Sequence, residues 1–232
     1  YVAPHWKSRE WISGFTGSAG TVVVTTTKAG LWTDSRYFLQ AALQLEGTEI
    51  ELYKEMLPET PSISTFLSMQ LAPGDTVGID GKMFSAEAVE DMRVKLQKHR
   101  IRLKSISDPL EQLWTDRPPM PEGPAFIHET KYAGKSSTEK ISIIREELKK
   151  CNAKALFLSA LDEIAWTLNL RGSDVHCNPV VVSYLLIEEQ HTHFFIQPQK
   201  ITPVVANYLK EIGASLHPYE EVETYLNRIN VD

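Results

Sequence analysis

Cysteine, long apolar runs and positive charge are all in short supply in this chain of 232 residues. Its two cysteines, Cys151 and Cys177, are too few for a disulfide framework, so a reducing, cytoplasmic compartment is expected. No apolar run approaches the ~20 residues that cross a bilayer, and the longest, 180–187, has the length of a buried strand. The formal net charge of −6 leaves no basic footprint for nucleic acid. Neither nucleic acid nor membrane is therefore an expected partner. A signal peptide is also missing, Tyr1 is not a natural start, and the last residues include a strand-like Ile229-Asn230-Val231, so the chain reads as cut at both ends. What is present is ordinary globular composition, 42% apolar and 23% charged, with room for one large domain or two of usual size.

The most informative stretch begins Arg9-Glu10-Trp11-Ile12-Ser13-Gly14-Phe15-Thr16-Gly17-Ser18-Ala19-Gly20. It reads as a glycine-punctuated turn, a strand at Val22-Val23-Val24, a polar turn, a second strand through Leu31-Trp32-Thr33 and a helix opening near Ser35. Tyr37, Phe38, Ala41, Ala42 and Leu45 place one apolar face on that helix. Further on, strands alternate with helices, which is α/β patterning. Ser62 and Ser85 are expected N-caps, Asp108-Pro109 an expected start of a short helix to Trp114, and Ser136-Ser137-Thr138-Glu139 an expected capping box. Ala155-Leu156-Phe157-Leu158 reads as a fully buried strand, and Asp162 as the cap of the next helix.

The proline-rich run from Arg117 to Pro124 can continue neither helix nor strand. Two α/β domains are expected, 1–120 and 136–232, joined by a linker at 121–135, with the second truncated at its C-terminus. They repeat each other at a spacing of 155: Trp11 with Trp166, and Gly17-Ser18 with Gly172-Ser173. Beyond these pairs the second copy is longer by two or three residues around Cys177-Asn178-Pro179, before its own β-rich Val180-Val181-Val182.

Arg-x-x-x-Ser-Gly-Phe-x-Gly-Ser-Ala-Gly from Arg9, followed by Leu31-Trp32-Thr33-Asp34-x-Arg36-Tyr37-Phe38-x-Gln40-Ala41, resembles the first domain of the three-domain Xaa-Pro aminopeptidases of the creatinase/prolidase group. Leu161-Asp162-Glu163-Ile164-Ala165-Trp166, Asn169-Leu170-Arg171-Gly172-Ser173-Asp174-Val175 and Asn178-Pro179-Val180 resemble the second. The resemblance implies two creatinase/prolidase N-terminal-like domains, each a six-stranded mixed sheet flanked by helices. It also implies a parent that removes the residue preceding proline from peptides with proline at the second position. In such a parent two divalent metals, usually manganese, sit in a C-terminal catalytic domain that this chain lacks. The chain alone is then expected to be inactive and to bind no cofactor. Its partners would be that catalytic domain, the peptide and a second copy in a homodimer. A degenerate relative that has lost its metals and binds protein is the alternative.

Arg9, Asp34 and Arg36 are the candidate site residues. They either form an ion-paired cluster bracing the hairpin, or one of them faces the catalytic domain's cleft, of the same or the partner subunit, and helps bind the peptide's amino end. Arg171 and Asp174 invite the same two readings. His191 and His193, two apart on a strand, with His176 and Cys177, complete no metal-ligand spacing and read as surface and turn residues. Gly14-x-x-Gly17-x-x-Gly20 is not a phosphate loop, because a strand follows it rather than a helix. Ser18 lacks the G-x-S-x-G frame of a nucleophile. Trp11, Trp32 and Trp166 are expected in the core.

Overall fold

The computed structural model describes residues 2–229, which divide into two compact units, 7–118 and 2–6 with 119–229. Of the strand-like tail, Asn230 and Val231 lie outside the described residues. The first unit runs α1 (Ser8–Ser13), β1 (Thr21–Val24), β2 (Ala29–Thr33), α2 (Phe38–Gln44), β3 (Ile50–Lys54), α3 (Ile63–Gln70), β4 (Thr76–Asp80), α4 (Ala86–Gln97) and β5 (Arg102–Ile106). The second runs β6 (Phe126–Ile127), α5 (Thr130–Ala133), α6 (Ser137–Lys150), β7 (Ala155–Leu158), α7 (Leu161–Leu168), β8 (Leu170–Arg171), β9 (Ser183–Glu188), β10 (Thr192–Ile196), α8 (Pro203–Glu211), β11 (Ala214–Pro218) and α9 (Val222–Leu226).

Both units are mixed α/β and share one topology. In the first, β1 and β2 form an antiparallel hairpin, and β3 returns through α2 to lie parallel to β2. In the second, β9 and β10 form the hairpin and β11 returns through α8 parallel to β10. A helix stopped by a left-handed residue precedes each hairpin: Gly14 (φ 70°) after α1 and Asn169 (φ 48°) after α7. Those stops are again 155 residues apart, as are Trp11 and Trp166. The second copy then lengthens by seven residues rather than two or three, because its hairpin strand starts at Ser183 and Val180-Val181-Val182 is buried loop.

Among the described residues the six-stranded sheets implied by the resemblance are not found. The first unit has a three-stranded sheet in the order β1-β2-β3 and a separate pair β4-β5, and the second has β11-β10-β9-β7 and a separate pair β6-β8. In the first unit Val23 of β1 and Val77 of β4 pack against one core, yet no ladder of backbone bonds joins the two sheets. Shared burial fixes the strands; the missing ladder keeps the count below six.

Trp32 anchors that core at 1% exposure. Its ring stacks on Tyr53 with centroids 4.0 Å apart, Phe66 meets it edge-on at 5.0 Å, and its indole N–H donates to Pro61 O at 2.9 Å. Gly30 is required beneath the stack, since a Cβ there would lie 2.5 Å from the Tyr53 ring. Trp11 and Trp166, by contrast, are 39% and 49% exposed. Trp11 lies on a helix too short to be covered on both sides and stacks on Trp114 at 5.5 Å. Trp166 has the ammonium of Lys140 4.5 Å above its ring.

Other expectations shift locally. Ser62, Ser85 and the Ser136–Glu139 capping box hold as read. Residues 108–114 form successive turns rather than a helix, a segment too short to repay nucleation. Helix α2 begins at Phe38, because Asp34 first closes a turn onto the Arg36 N–H, and Ala42 faces solvent. Asp162 lies inside the first turn of α7, whose N-cap is Ala160. β7 is an edge strand, with Phe157 38% exposed.

The second unit also buries charge. Asp174 and Lys200 are wholly enclosed: one carboxylate oxygen meets the Lys200 ammonium, and the other accepts from Val182 N–H at 2.6 Å. The pair ties the loop after β8 to the segment before α8. Lys200→Met leaves the aspartate buried and unpaired and is expected to cost about 3–5 kcal/mol in urea unfolding. Adding Asp174→Asn should recover part of that loss; an unchanged midpoint in K200M would contradict the role given to the pair.

Candidate functional site

The glycine turn is built around Arg9. Helix α1 ends at the left-handed Gly14, and the next six residues curl back so that the Gly17 and Gly20 carbonyls face the Arg9 guanidinium. Nη1 donates to Gly20 O at 2.8 Å, Nη2 donates to Gly17 O, and the guanidinium carbon lies 5.6 Å from the Phe15 ring centre. Phe15 is fully buried, and a Cβ on Gly17 would collide with its ring at 2.2 Å. The turn therefore offers inward carbonyls to a cation, the opposite polarity from a loop that cradles phosphate. Burial lowers the Arg9 pKa, but an arginine stays charged at any physiological pH.

Asp34 and Arg36 follow directly from the end of β2. Asp34 Oδ1 accepts from the Arg36 backbone N–H at 3.0 Å and from Nε at 2.9 Å, and Oδ2 accepts from Nη2 at 2.7 Å. This is a forked, two-point ion pair. Hydrogen bonding to Arg36 holds the Asp34 carboxyl below its usual value, and Asp34 raises that of Arg36. Both groups stand in solvent, so the pair adds little to stability.

The structure does not merge Arg9 with this pair into one ion cluster. Their neighbourhoods meet through Tyr37 and Ser18, whose hydroxyls lie 2.5 Å apart, with the Tyr37 ring edge-on to Phe15 and 5.3 Å from the Arg36 guanidinium. The Ser18 contact pulls the Tyr37 hydroxyl below its ordinary pKa. Beside them Gln40 and Gln44 of α2 both donate to Thr16 Oγ1, at 2.8 and 2.9 Å. The result is a rigid polar surface in which Ser18, Asp34, Arg36 and Tyr37 present donors and acceptors, braced from below by Arg9.

Comparison with known proteins places this architecture. Residues 116–231 match the Creatinase/Prolidase N-terminal domain, and residues 2–113 match a second family of that same description. The chain belongs to the creatinase/prolidase N-terminal domain family. Curated relatives include Aminopeptidase P2 of Arabidopsis thaliana, 41% identical over 96% of this chain and 32% of its own length. Xaa-Pro aminopeptidase 1 of Dictyostelium discoideum is 38% identical over 97% of this chain and 37% of its own. The chain thus spans about a third of these relatives, at their N-terminal end. A crystal structure of X-prolyl aminopeptidase from Caenorhabditis elegans, described as a cytosolic enzyme with a di-nuclear active site, superposes with a TM-score of 0.93 at 32% identity. It matches 97% of this chain and 37% of its own.

In the second creatinase/prolidase unit the charged residues turn inward. Arg171 Nη1 donates to Ala165 O at 2.5 Å and Leu170 O at 2.9 Å, which satisfies the C-terminal end of α7. Asp174 is consumed by Lys200. Sequence reasoning missed Lys140 and Lys200, two lysines at 1% and 0% exposure. Lys140 donates to Trp166 O at 2.7 Å and Asn169 Oδ1 at 2.6 Å, a buried cation on the carbonyl end of α7. Its only signal in the sequence was a lysine on the apolar side of an amphipathic helix, beside Ile141.

His193 gathers partners other than those its sequence neighbours promised. Nδ1 lies 3.0 Å from His217 Nε2 and Nε2 lies 3.1 Å from Glu188 Oε2, with Tyr225 against the same ring. Neither His176 nor Cys177 joins it, and among the described residues no three His, Cys, Asp or Glu side chains are placed to share a metal. Burial pushes His217 below its ordinary 6.5, and the nearby His193 adds to that while Glu221 opposes it.

Two predictions follow from these clusters. Arg9→Gln should destabilise the chain by about 1–3 kcal/mol, because two inward carbonyls lose their donor. Arg36→Ala should leave the melting temperature unchanged, and equal losses in both would contradict the division of labour. The lowered pKa means the folded chain binds a proton on His217 less readily than the unfolded chain, so stability is unaffected above about pH 6.5 and is lost as pH falls below it. Melting scans at about pH 7.5 and about pH 5.5 should show a smaller acid loss in His217→Phe than in the native chain.

Proposed function

We propose that this chain is the non-catalytic N-terminal region of a metal-dependent Xaa-Pro aminopeptidase, walling the active-site cleft and supporting dimerisation. The observation that carries the reading is the end-to-end match of both units to enzymes of that name, together with the TM-score of 0.93 to the Caenorhabditis elegans enzyme. The parent removes the N-terminal residue that precedes proline. A proline nitrogen in a peptide bond carries no hydrogen, so the scissile amide offers no donor and the substrate must be held by its free amine and its carbonyls. Asp34 supplies a carboxylate for an ammonium, and Arg36 a guanidinium for a carbonyl or carboxylate. Arg9 acts behind them as a positioning residue.

In this reading two divalent metals, manganese, are held by a C-terminal domain of the parent; among the described residues of this chain no three His, Cys, Asp or Glu side chains are placed to share a metal. In that domain the metals would supply the attacking hydroxide. This chain's residues bind and orient substrate and exclude longer ones. The working compartment is the cytoplasm, by analogy with the cytosolic relative; among the described residues no helix is long and apolar enough to cross a membrane.

Hydrolysis of an Xaa-Pro-Pro peptide with Mn²⁺ tests the reading. The full-length parent should cleave it and this chain alone should not. Arg36→Ala or Asp34→Ala in the parent should raise KM by about tenfold with kcat changed less, as expected for groups that bind ground and transition state alike. An unchanged KM in both variants would remove these two residues from the substrate. Inactivity of the intact parent would favour a protein-binding module, and cleavage by this chain alone would overturn the assignment.

A further inference from the structure

The second unit gathers titratable side chains on the face of its sheet that turns away from the main core. Phe194 and Ile196 of β10 and Leu185 and Ile187 of β9 point into that core, so by alternation Glu188, His193 and Phe195 occupy the other face. His217 of β11 joins them as the register partner of Phe195. Tyr225 of α9 lies against the same group, its ring centre 4.8 Å from that of His193, 5.1 Å from His217 and 5.4 Å from Phe195. Its hydroxyl is 3.2 and 3.0 Å from the two ring nitrogens of His193. Helix α9 is five residues long and none of them is buried. A helix that short is stable only where it is seated, and Tyr225 is the ring that seats it.

The hydrogen bonds among these groups fix where the protons sit. An ionised Glu188 can only accept, so His193 Nε2–H donates to its Oε2 across 3.1 Å. A neutral imidazole carries one N–H, which leaves His193 Nδ1 an acceptor, and the 3.0 Å contact with His217 is then a donation from His217 Nε2–H. One added proton fits this chain, because His217 Nδ1 can take it while the bond to His193 stays intact. A second does not fit. With both rings cationic, two N–H groups point at each other across 3.0 Å with no acceptor between them. Burial and the nearby His193 both push the His217 pKa down, and Glu221, from the turn before α9, opposes them. The other charged or titratable neighbours are His191, its ring 6.1 Å from that of His193, and Arg145 of α6, which donates to the Glu188 carbonyl at 2.9 Å. Glu220 is turned to Gln197, whose Nε2 donates to it at 2.5 Å. Glu188 and Glu221 can balance two positive charges, but the gap leaves no room for either between the rings.

We propose that the Glu188–His193–His217 chain is a proton-operated latch on α9. Holding up to one added proton, the imidazoles stay bonded and Tyr225 stays seated on them; a second proton parts the rings, and α9 leaves the sheet. The turn before it, Tyr219–Glu221, stays in place and serves as the pivot, because Tyr219 stacks on Tyr184 with ring centres 5.1 Å apart. Opening disturbs no packing in the main core, since Phe194, Ile196, Leu185 and Ile187 face the other way. The parted rings bind protons more tightly than the bonded pair, so the latch is closed above about pH 6.5 and opens as pH falls below it. Nothing in the device depends on the peptidase reading.

Amide exchange of the intact protein, corrected for the intrinsic effect of pH and read by mass spectrometry, tests the latch. Protection of Val222–Leu226 should fall at least about tenfold between about pH 7.5 and about pH 5, with α6 and α8 unchanged. In His193→Gln the fall should shrink below about twofold, because a glutamine keeps a donor for Glu188 and an acceptor for His217 yet takes up no proton. A fall of the same size in that variant, constant protection in the native chain, or an equal fall throughout the second unit would each overturn the proposal. Imidazole nitrogen shifts of the native chain need no substitution, and they decide the matter if H193Q already lacks α9 at neutral pH. Two proton steps are expected, the second coinciding with the loss of protection at Val222–Leu226. Both rings cationic while α9 stays protected would leave no latch.

Discussion

A helix that must stop and feed a hairpin needs one residue in the left-handed conformation, and both units depend on that stop. Gly14 supplies it at no steric cost, and Asn169 supplies it as one of the few other residues that tolerate it. The turn then leaves carbonyls without helical partners in a crowded place. Each unit answers with cations from its own chain. In the first, Arg9 reaches forward from α1 to the Gly17 and Gly20 carbonyls. In the second, Lys140 and Arg171 converge on the carbonyls of Trp166 and Ala165 at the end of α7. Without such donors the buried carbonyls would cost about 1–3 kcal/mol each, so stop and cation are one device.

That device sets what the glycine stretch is for. Three glycines at a spacing of three invite a reading as an anion loop, yet the groups turned inward are acceptors. Gly17 is glycine because Phe15 fills the space where a Cβ would be, and Phe15 is there because the turn has its own small core with Leu31, Ala41 and Leu45. Asp34, placed by β2 immediately beyond this core, inherits a rigid floor. An exposed ion pair on a flexible loop would be of little use as a recognition element; on a floor fixed by Arg9, Phe15 and Trp32 its two carboxylate oxygens keep a defined direction.

Much of this was legible in sequence because it is local. The period of Val22-Val23-Val24, the caps at Ser62 and Ser85 and the Ser136–Glu139 box are decided by residues within four positions of one another, and each formed as read. The misreadings concern what only the fold brings together. Size alone placed Trp11 and Trp166 in the core, but each sits on the outer side of a short helix. Asp174 and Lys200 are 26 residues apart, and no pattern ties a lysine after Pro198-Gln199 to an aspartate before Val175. His193 shares a strand face with His191 by arithmetic, yet its closest ring nitrogen belongs to His217, brought alongside by a parallel strand that returns through α8. The run at 155–158 looked fully buried because nothing in it is polar, but β7 lies at the edge of its sheet, with Phe157 38% exposed.

The two units differ in where they place charge beside the hairpin: inward in the second, outward in the first. A buried pair such as Asp174 and Lys200 is committed to each other: moving either toward a ligand would strand the partner without water. Arg171 and Lys140 are likewise held by backbone carbonyls. Asp34 and Arg36 are free of that commitment. Water already solvates them, so exchanging part of their mutual contact for another polar partner costs little, while Tyr37 and the forked geometry limit where they can point. Of two copies of one scaffold, the second turns Asp174, Lys200, Arg171 and Lys140 inward around its hairpin, and the first keeps the Asp34–Arg36 fork in solvent beside its own.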